Sequence, residues 1–294
     1  MIKGERKKMK KFIKGGGVGI FFVFLLLFFS SPTYIIYSEN PGEFLKNKKL
    51  LESICANYKS LNEYYASLEK DTSFSRLVLS QLKGRERSYF LQMRPFLSEI
   101  IKASQKTGIP ISSIASHIKR ESQFNPRAVS YKDAYGLMGV TVWAYKDVMR
   151  LREQKKWIAE ALKEYGNIEW ERVKFDPELN IMVGTIYYKF LLDELKDTTL
   201  ASLAYNWGIG NVNIMLEKYG NTQKILSRLE ELASINSAWI EPAEYTMHIS
   251  KIENVFKKVE ERIKLAYATY RELSSQDFAF LNFASASSSS QEQS

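Results

Sequence analysis

The sequence predicts an all-α fold, with a helical N-terminal region in front of one larger helical domain. Apolar residues recur at three- and four-residue spacing along most of the 294-residue chain, and helix-capping residues bound several of these stretches. No alternating pattern typical of a strand is stronger than the helical one. With 45% apolar and 26% charged residues, the composition is that of an ordinary globular protein with one large domain or two small ones.

The net charge of +9 is concentrated at the N-terminus. Residues 1–14 contain seven basic residues and one acidic residue, so the rest of the chain is close to balanced. A basic surface for nucleic acid is therefore not indicated. The single cysteine, Cys55, excludes an internal disulfide, and two histidines argue against a zinc site. We expect neither a metal nor a cofactor.

Residues 1–37 have the order of an export signal. The basic start precedes an apolar run, Val18–Phe29, and the charge-free stretch continues to Tyr37. Twelve apolar residues are typical of a cleaved signal, whereas the longer stretch can span a bilayer as an uncleaved anchor. Both alternatives remain open at this point. Either one places the remainder outside the cytoplasm, in the periplasm or cell envelope, and the anchor would hold it on the cytoplasmic membrane.

The remaining chain divides into three parts. Residues 38–88 predict a helical N-terminal region, with helices over 44–69 and 74–83. Residues 89–273 form the larger domain, in which a helix over 94–107 stops at Gly108 and another begins at Asp176-Pro177. The segment 154–173 predicts a helical insertion. The serine-rich tail, residues 274–294, is expected to be disordered.

One acidic residue continues an apolar stripe in the larger domain. A helix beginning near Pro110 carries Ile111, Ile114 and Ile118 on one face, and Glu121 is the next position on that face. Burial raises the pKa of a carboxylic acid and keeps it protonated, which makes it a candidate general acid. The alternative is a carboxylate at the edge of the stripe, either solvated or bound to a backbone N–H.

Five short blocks of residues follow one another through the larger domain. The blocks are Glu121-Ser122-x-Phe124-Asn125-Pro126-x-Ala128-x-Ser130, Gly136-Leu137-Met138, Asp176-Pro177 with Asn180, Ile181 and Gly184, Ala204-Tyr205-Asn206-x-Gly208-x-Gly210, and Pro242 with Glu244. Together they resemble the catalytic domain of lytic transglycosylases, the lysozyme-like bacterial enzymes that cleave peptidoglycan between N-acetylmuramic acid and N-acetylglucosamine. The resemblance covers roughly residues 89–270.

The resemblance implies that Glu121 is the single catalytic acid of a lysozyme-like domain acting on peptidoglycan glycan strands. In the family this acid protonates the glycosidic oxygen. As a carboxylate it then takes the proton of the muramic acid C6 hydroxyl, and the sugar closes as a 1,6-anhydro product without water. Ordinary glycosidases use two carboxylates, and here the sequence offers one well-placed candidate.

Six further residues are candidates for substrate binding. Ser130 matches a family serine near the acid or the substrate acetamido group, with a turn residue as its alternative role. Tyr205 matches a tyrosine whose hydroxyl lies beside the acid. Trp207 stands where the family often has alanine, and its indole would either stack on a sugar or pack in the core. The full set is Ser130, Met138, Tyr205, Asn206, Trp207 and His248.

Two departures from the family pattern leave other functions open. Gly139 stands where the family usually has a substrate-binding glutamine, and the late family tyrosine falls on His248 while its threonine falls on Tyr245. One alternative is a lysozyme-like muramidase in which Asp133 or another carboxylate activates water. A second is a wall-binding or scaffold protein on the same fold with weakened turnover.

Overall fold

The computed structural model describes the backbone of residues 23–28, 31–36, 63–65, 67, 68 and 72–289, and the side chains of residues 63–65, 67, 68 and 74–268. The chain separates into two compact units, residues 1–60 and 61–294. The predicted helix over 44–69 lies largely outside the described residues, as does the end of the tail, residues 290–294.

In the first unit, two strands form an antiparallel hairpin. Strand β1 is Val23–Phe28 and β2 is Ser31–Ile36, with Val23 opposite Ile36 and Phe28 opposite Ser31. The sequence predicted no strand here. The residues of β1 and β2 are rich in aromatic and branched side chains, which favour strands as well as apolar helices. None of the helices in the described residues is long and apolar enough to cross a membrane.

The second unit is built from helices, and the predicted all-α class is confirmed for the described part of the chain. A two-stranded ribbon interrupts the helices, with β3 at Ala134–Tyr135 and β4 at Val140–Thr141. The helices are α1 Thr72–Gln81, α2 Gly84–Met93, α3 Leu97–Thr107, α4 Ile111–Ser122, α5 Val142–Gln154, α6 Lys156–Ala161, α7 Trp170–Phe175, α8 Pro177–Leu195, α9 Thr198–Trp207, α10 Ile209–Tyr219, α11 Thr222–Ile235 and α12 Ile240–Ser289, with 3₁₀ turns at Arg94–Phe96, Lys163–Tyr165 and Ser237–Trp239.

Local sequence signals account for several helix boundaries. Gly108 ends α3 in the left-handed conformation at φ 73°, and the Asp176 side chain accepts from the first N–H groups of α8, with Pro177 at its first position. Gly208 separates α9 from α10 at φ 89°. The predicted insertion is helical, because α6, the turn at Lys163–Tyr165 and the start of α7 lie within 154–173.

Two helices organise the core of this unit. Helix α8 is buried on nearly all sides and packs against α3, α5, α7 and α9, while α12 packs along α4 and also contacts α1, α2, α9 and α11. This arrangement places the end of α4 between α12 and the β3–β4 ribbon. Helix α12 continues to Ser289, and the disorder expected of residues 274–294 stays a prediction. The alanine and phenylalanine residues between 274 and 286 are compatible with a helix.

Candidate active site

Glu121 lies in the last turn of α4, where the chain changes direction sharply. The two residues beyond the helix, Gln123 and Phe124, both adopt left-handed backbone conformations, with φ 57° and 65°. Such a conformation is costly for an aromatic residue and persists where the surroundings enforce it. The Phe124 ring is buried and lies 6.5 Å from that of Phe96 and 6.1 Å from that of Phe256, measured between centroids. This packing secures the turn that follows the acid.

The Glu121 carboxyl group is half-buried and held by a phenol from α12. The buried Tyr245 donates a hydrogen bond from its hydroxyl to Glu121 Oε1 at 2.5 Å. Burial raises the pKa of Glu121 to about 7, and the nearby Glu241 carboxylate acts in the same direction. The Tyr245 hydrogen bond and the charges of Arg120 and Lys132 oppose this rise in pKa. Near neutral pH the acid is therefore protonated in a large fraction of molecules, as a general acid requires.

We expect this raised pKa to appear in the stability of the protein. The unfolded chain loses the Glu121 proton near its ordinary pKa of 4.5, whereas the folded chain retains it to about 7, so the contribution of this proton is complete below 4.5 and is lost as pH rises to about 7. Relative to wild type, Glu121→Gln should gain about 1–3 kcal/mol in the free energy of unfolding over that interval and remain constant above it. Urea unfolding of both proteins across this range measures the difference. A constant difference would contradict the raised pKa.

The floor beside the acid is the β3–β4 ribbon, and Asn180 of α8 organises it. This side chain is fully buried, accepts a hydrogen bond from Met138 N at 2.8 Å, and donates to the carbonyl oxygens of Tyr135 and Val173 at 2.9 Å each. Gly136 turns the ribbon at φ 74°, and a Cβ atom there would lie 2.4 Å from Asn180 Nδ2. The Asn180 amide thereby determines where the backbone of the floor lies.

The structure gives Tyr205 and Tyr245 different roles from those the sequence suggested. The Tyr205 hydroxyl donates to the Met138 carbonyl oxygen at 2.8 Å and so holds the floor, while the hydroxyl bound to Glu121 is that of Tyr245. Sequence reasoning assigned the late tyrosine of the family to His248. Its Nε2 atom lies 3.9 Å from Glu244, one turn earlier in α12. Tyr245 directly follows Glu244 of the last block, and a tyrosine at that position was the available signal.

We expect Tyr245→Phe to slow turnover by about tenfold, the value of one hydrogen bond to a charged group. Because that bond favours the ionised carboxylate, its removal should also raise the pKa of Glu121 and move the alkaline limb of the pH–rate profile upward. Tyr145→Phe is the matched control, since it removes a half-buried hydroxyl that donates to the Ile168 carbonyl oxygen at 2.9 Å. A profile shifted equally in both variants would argue against a specific role of Tyr245.

The remaining predicted residues lie in the turn after α4 and at the end of α9. Ser130 is exposed, and its Oγ atom accepts from the backbone N–H groups of Lys132 and Ala134 at 3.2 and 3.1 Å, so it stabilises a turn. Asn206 donates to Glu241 Oε1 at 3.1 Å. The half-buried Trp207 ring meets that of Trp239 edge to face at 5.5 Å.

Glu241, at the start of α12, is a second carboxylate that sequence reasoning missed. It accepts hydrogen bonds from Lys132 Nζ at 2.7 Å, the Tyr131 hydroxyl at 3.1 Å and Asn206. Burial opposes its ionisation, but the bonds from Lys132 and Asn206 lower the pKa of Glu241 overall. Glu241 and Tyr245 are one helical turn apart, so α12 supplies both a fixed negative charge and a phenol to the surroundings of Glu121.

Part of this site, including Glu121, lies in a segment that is similar to known proteins. Residues 98–227 match the family model of the transglycosylase SLT domain. The chain is 36% identical over 146 residues to the membrane-bound lytic murein transglycosylase C of Serratia proteamaculans, and 37% identical over 150 residues to that of Pectobacterium atrosepticum. Each alignment covers 47% of this chain and 36% of the relative, so the chain spans little more than a third of their length. The predicted resemblance to the lytic transglycosylase catalytic domain is confirmed for residues 98–227.

Solved structures give a weaker likeness. The complex of the 70-kDa soluble lytic transglycosylase with bulgecin A aligns with a TM-score of 0.43 and 20% identity, covering 57% of this chain and 25% of that one. The 70-kDa soluble lytic transglycosylase of Escherichia coli aligns with a TM-score of 0.36 and 20% identity, covering 56% and 24%.

Proposed function

We propose that this chain is a peptidoglycan lytic transglycosylase that cleaves the β-1,4 bond between N-acetylmuramic acid and N-acetylglucosamine and leaves 1,6-anhydro ends. The observation that carries the proposal is the state of Glu121. It is a half-buried acid with a pKa of about 7, hydrogen-bonded to Tyr245, within the segment that matches the transglycosylase SLT domain. The named relatives are lytic murein transglycosylases.

The proposed reaction uses Glu121 twice. The protonated carboxyl group gives its proton to the glycosidic oxygen as the bond from that oxygen to the muramic acid C1 breaks, which leaves positive charge on the sugar ring. The Glu121 carboxylate then removes the proton of the C6 hydroxyl, and O6 forms the new bond to C1. No water is consumed, and Glu121 ends protonated as it began. A pKa near the working pH suits a group that must give and take a proton.

Hydrolysis is the second candidate, and Glu241 is the observation that favours it. A muramidase needs a second carboxylate to activate water or act as a nucleophile. Asp133, the earlier candidate for that role, is exposed and lies 3.5 Å from the Tyr135 hydroxyl. Both oxygens of Glu241 accept hydrogen bonds, one of them from a lysine. A carboxylate stabilised in this way is a weak base, which disfavours the activation of water by Glu241.

The proposed location is the periplasm or cell envelope. The basic and apolar order of residues 1–37 supports export, and the relatives are named as membrane-bound enzymes. The same segment would be a cleaved signal or an anchor to the cytoplasmic membrane. Glycan strands of peptidoglycan are the proposed partner.

The product of digestion tests the proposal. Purified protein is incubated with peptidoglycan sacculi, and the released muropeptides are analysed by mass spectrometry. Anhydro-muramic ends, lighter by one water than reducing ends, are expected. Reducing ends alone would establish the hydrolase. Binding to sacculi without any release would establish the wall-binding alternative.

A further inference from the structure

Gly139, the residue that departs from the family pattern, has its backbone position determined from both sides. Its left-handed conformation, φ 57°, closes a turn in which its N–H donates to the Gly136 carbonyl oxygen at 3.2 Å. On one side, Met138 is held by Asn180 through its N–H and by Tyr205 through its carbonyl oxygen. On the other side, the buried Val140 pairs with Tyr135 in the ribbon. The chain at Gly139 therefore has little freedom to move away from its neighbours.

The group that faces the open side of Gly139 is the Glu121 carboxyl group. A Cβ atom built on Gly139 would lie 2.7 Å from Glu121 Oε2, 3.2 Å from its Cβ and 3.3 Å from its Cδ. The first distance is shorter than non-bonded atoms allow. Because hydrogen bonds from Asn180 and Tyr205 hold the backbone of the floor, a side chain at position 139 would displace the flexible end of Glu121. On its other oxygen, Oε1, the same carboxyl group accepts the Tyr245 hydrogen bond.

We propose that Gly139 is a positioning residue: the absence of a side chain lets the floor close against Glu121 and hold its carboxyl group on Tyr245. Any larger residue would displace the carboxyl group from the position in which it is buried and bound to Tyr245. The catalytic consequence rests on the proposed function, whereas the position of the carboxyl group does not. The family pattern alone suggests that Gly139 means a missing substrate contact. In this chain the glycine is instead required for the position of the Glu121 carboxyl group.

The charged and titratable groups around Glu121 remain in place when Gly139 is changed. They are Tyr245 and Glu241 on α12, Arg120 on α4, Lys132 in the turn after α4 and Tyr205 on α9. A substitution at 139 alters only the burial and hydrogen bonding of the carboxyl group. Loss of the Tyr245 hydrogen bond alone would raise the pKa of Glu121, but burial is the larger cause, so exposure of the displaced carboxyl group should return its pKa toward the ordinary value of 4.5.

Two variants separate this proposal from the loss of a substrate contact. Gly139→Ala tests the collision alone, and Gly139→Gln restores the residue usual in the family. If Gly139 were merely a lost contact, the glutamine would increase turnover. If it positions the acid, both variants should release muropeptides at least about tenfold more slowly at neutral pH and recover part of the loss at about pH 5. Faster turnover by Gly139→Gln would overturn the proposal.

The matched control is Gly220→Ala. Gly220 has the same kind of left-handed conformation, φ 84°, at the end of α10, but no atom lies within 4 Å of the position of its Cβ. Both alanine variants therefore introduce similar backbone strain, and only one introduces the collision. Muropeptide release by Gly220→Ala should remain near the wild-type rate. An equal loss in both variants would attribute the effect to strain and overturn the proposal.

Direct titration of Glu121 gives a readout independent of turnover. The ¹³C resonance of its carboxyl carbon, identified by its absence from Glu121→Gln, is followed against pH in wild type, Gly139→Ala and Gly220→Ala. The apparent pKa, about 7 in wild type, should fall by at least about one unit in Gly139→Ala alone. An unchanged value would overturn the proposal. If wild type released no muropeptides, the proposed function would fail while this titration still tested the role of Gly139.

Discussion

Glu121→Gln is expected to reduce the release of muropeptides from sacculi by about 10²- to 10⁴-fold, the range of general acid–base catalysis. The amide keeps the shape of the side chain and can still accept the Tyr245 hydrogen bond, but it cannot give a proton to the glycosidic oxygen. Because the proposed reaction uses the same group as acid and then as base, both steps are affected. The initial rate of soluble muropeptide release, measured at saturating sacculi, gives the effect.

Glu260→Gln is the matched control for this variant. Glu260 also lies where α12 packs on α4, and burial raises its pKa to about 7. Its Oε1 atom accepts from Ser112 N at 3.0 Å, at the opposite end of α4 from Glu121. The amide can still accept that bond, so turnover should stay within about threefold of wild type. Glu121→Gln acting at the wild-type rate would remove Glu121 from its role, and an equal loss in both variants would indicate a general disturbance of the α4–α12 contact.

The features predictable from the sequence are those specified by residues close together in the chain. Gly108 marks a helix boundary because a left-handed residue ends a helix, and Asp176-Pro177 begins one because the side chain satisfies free N–H groups. The orientation of Glu121 toward the interior likewise follows from its spacing after Ile114 and Ile118 within one helix. Each of these signals operates within a turn or two.

The environment of Glu121 depends on contacts that local sequence does not encode. Tyr245 and Glu241 come from a helix more than a hundred residues later in the chain, and their rotation toward the acid depends on how α12 packs on α4. Matching of family blocks placed the late family tyrosine on His248, whereas the hydroxyl bound to Glu121 is that of Tyr245. In the sequence Gly139 stands out only as a missing glutamine, and the structure places the Glu121 carboxyl group beside it.

Asn180 illustrates why the ribbon itself was missed. Strands β3 and β4 contain two residues each, too few for an alternating pattern, and their position is determined by a side chain from α8. The sequence presented Asn180 as part of a motif with a helix start, whereas its partners Met138, Tyr135 and Val173 lie 42, 45 and 7 residues away. A polar residue inside a buried helix face is the signal that pointed to such a role.

Asn180→Ala is expected to lower the free energy of unfolding by about 3–5 kcal/mol, among the largest effects of a single substitution in this protein. The change leaves the Met138 N–H and the carbonyl oxygens of Tyr135 and Val173 without their partner in a fully buried site, and it creates a cavity. Urea unfolding measures the loss. Since the floor at Met138 then shifts, turnover should also fall under conditions where the variant remains folded.

Asn180→Asp separates hydrogen bonding from packing. The carboxyl group has nearly the shape of the amide and accepts from Met138 N–H, but when ionised it presents oxygen to two carbonyl oxygens. Ionisation in the folded protein is therefore disfavoured, the pKa of the new carboxyl group is raised, and the variant should lose stability as pH rises. Asn211→Ala, which removes an exposed amide bound to the Trp207 carbonyl oxygen at 2.7 Å, should cost less than about 1 kcal/mol. If the Asn180 variants lost no more free energy of unfolding than Asn211→Ala, the Asn180 amide would lie beside the ribbon without stabilising it.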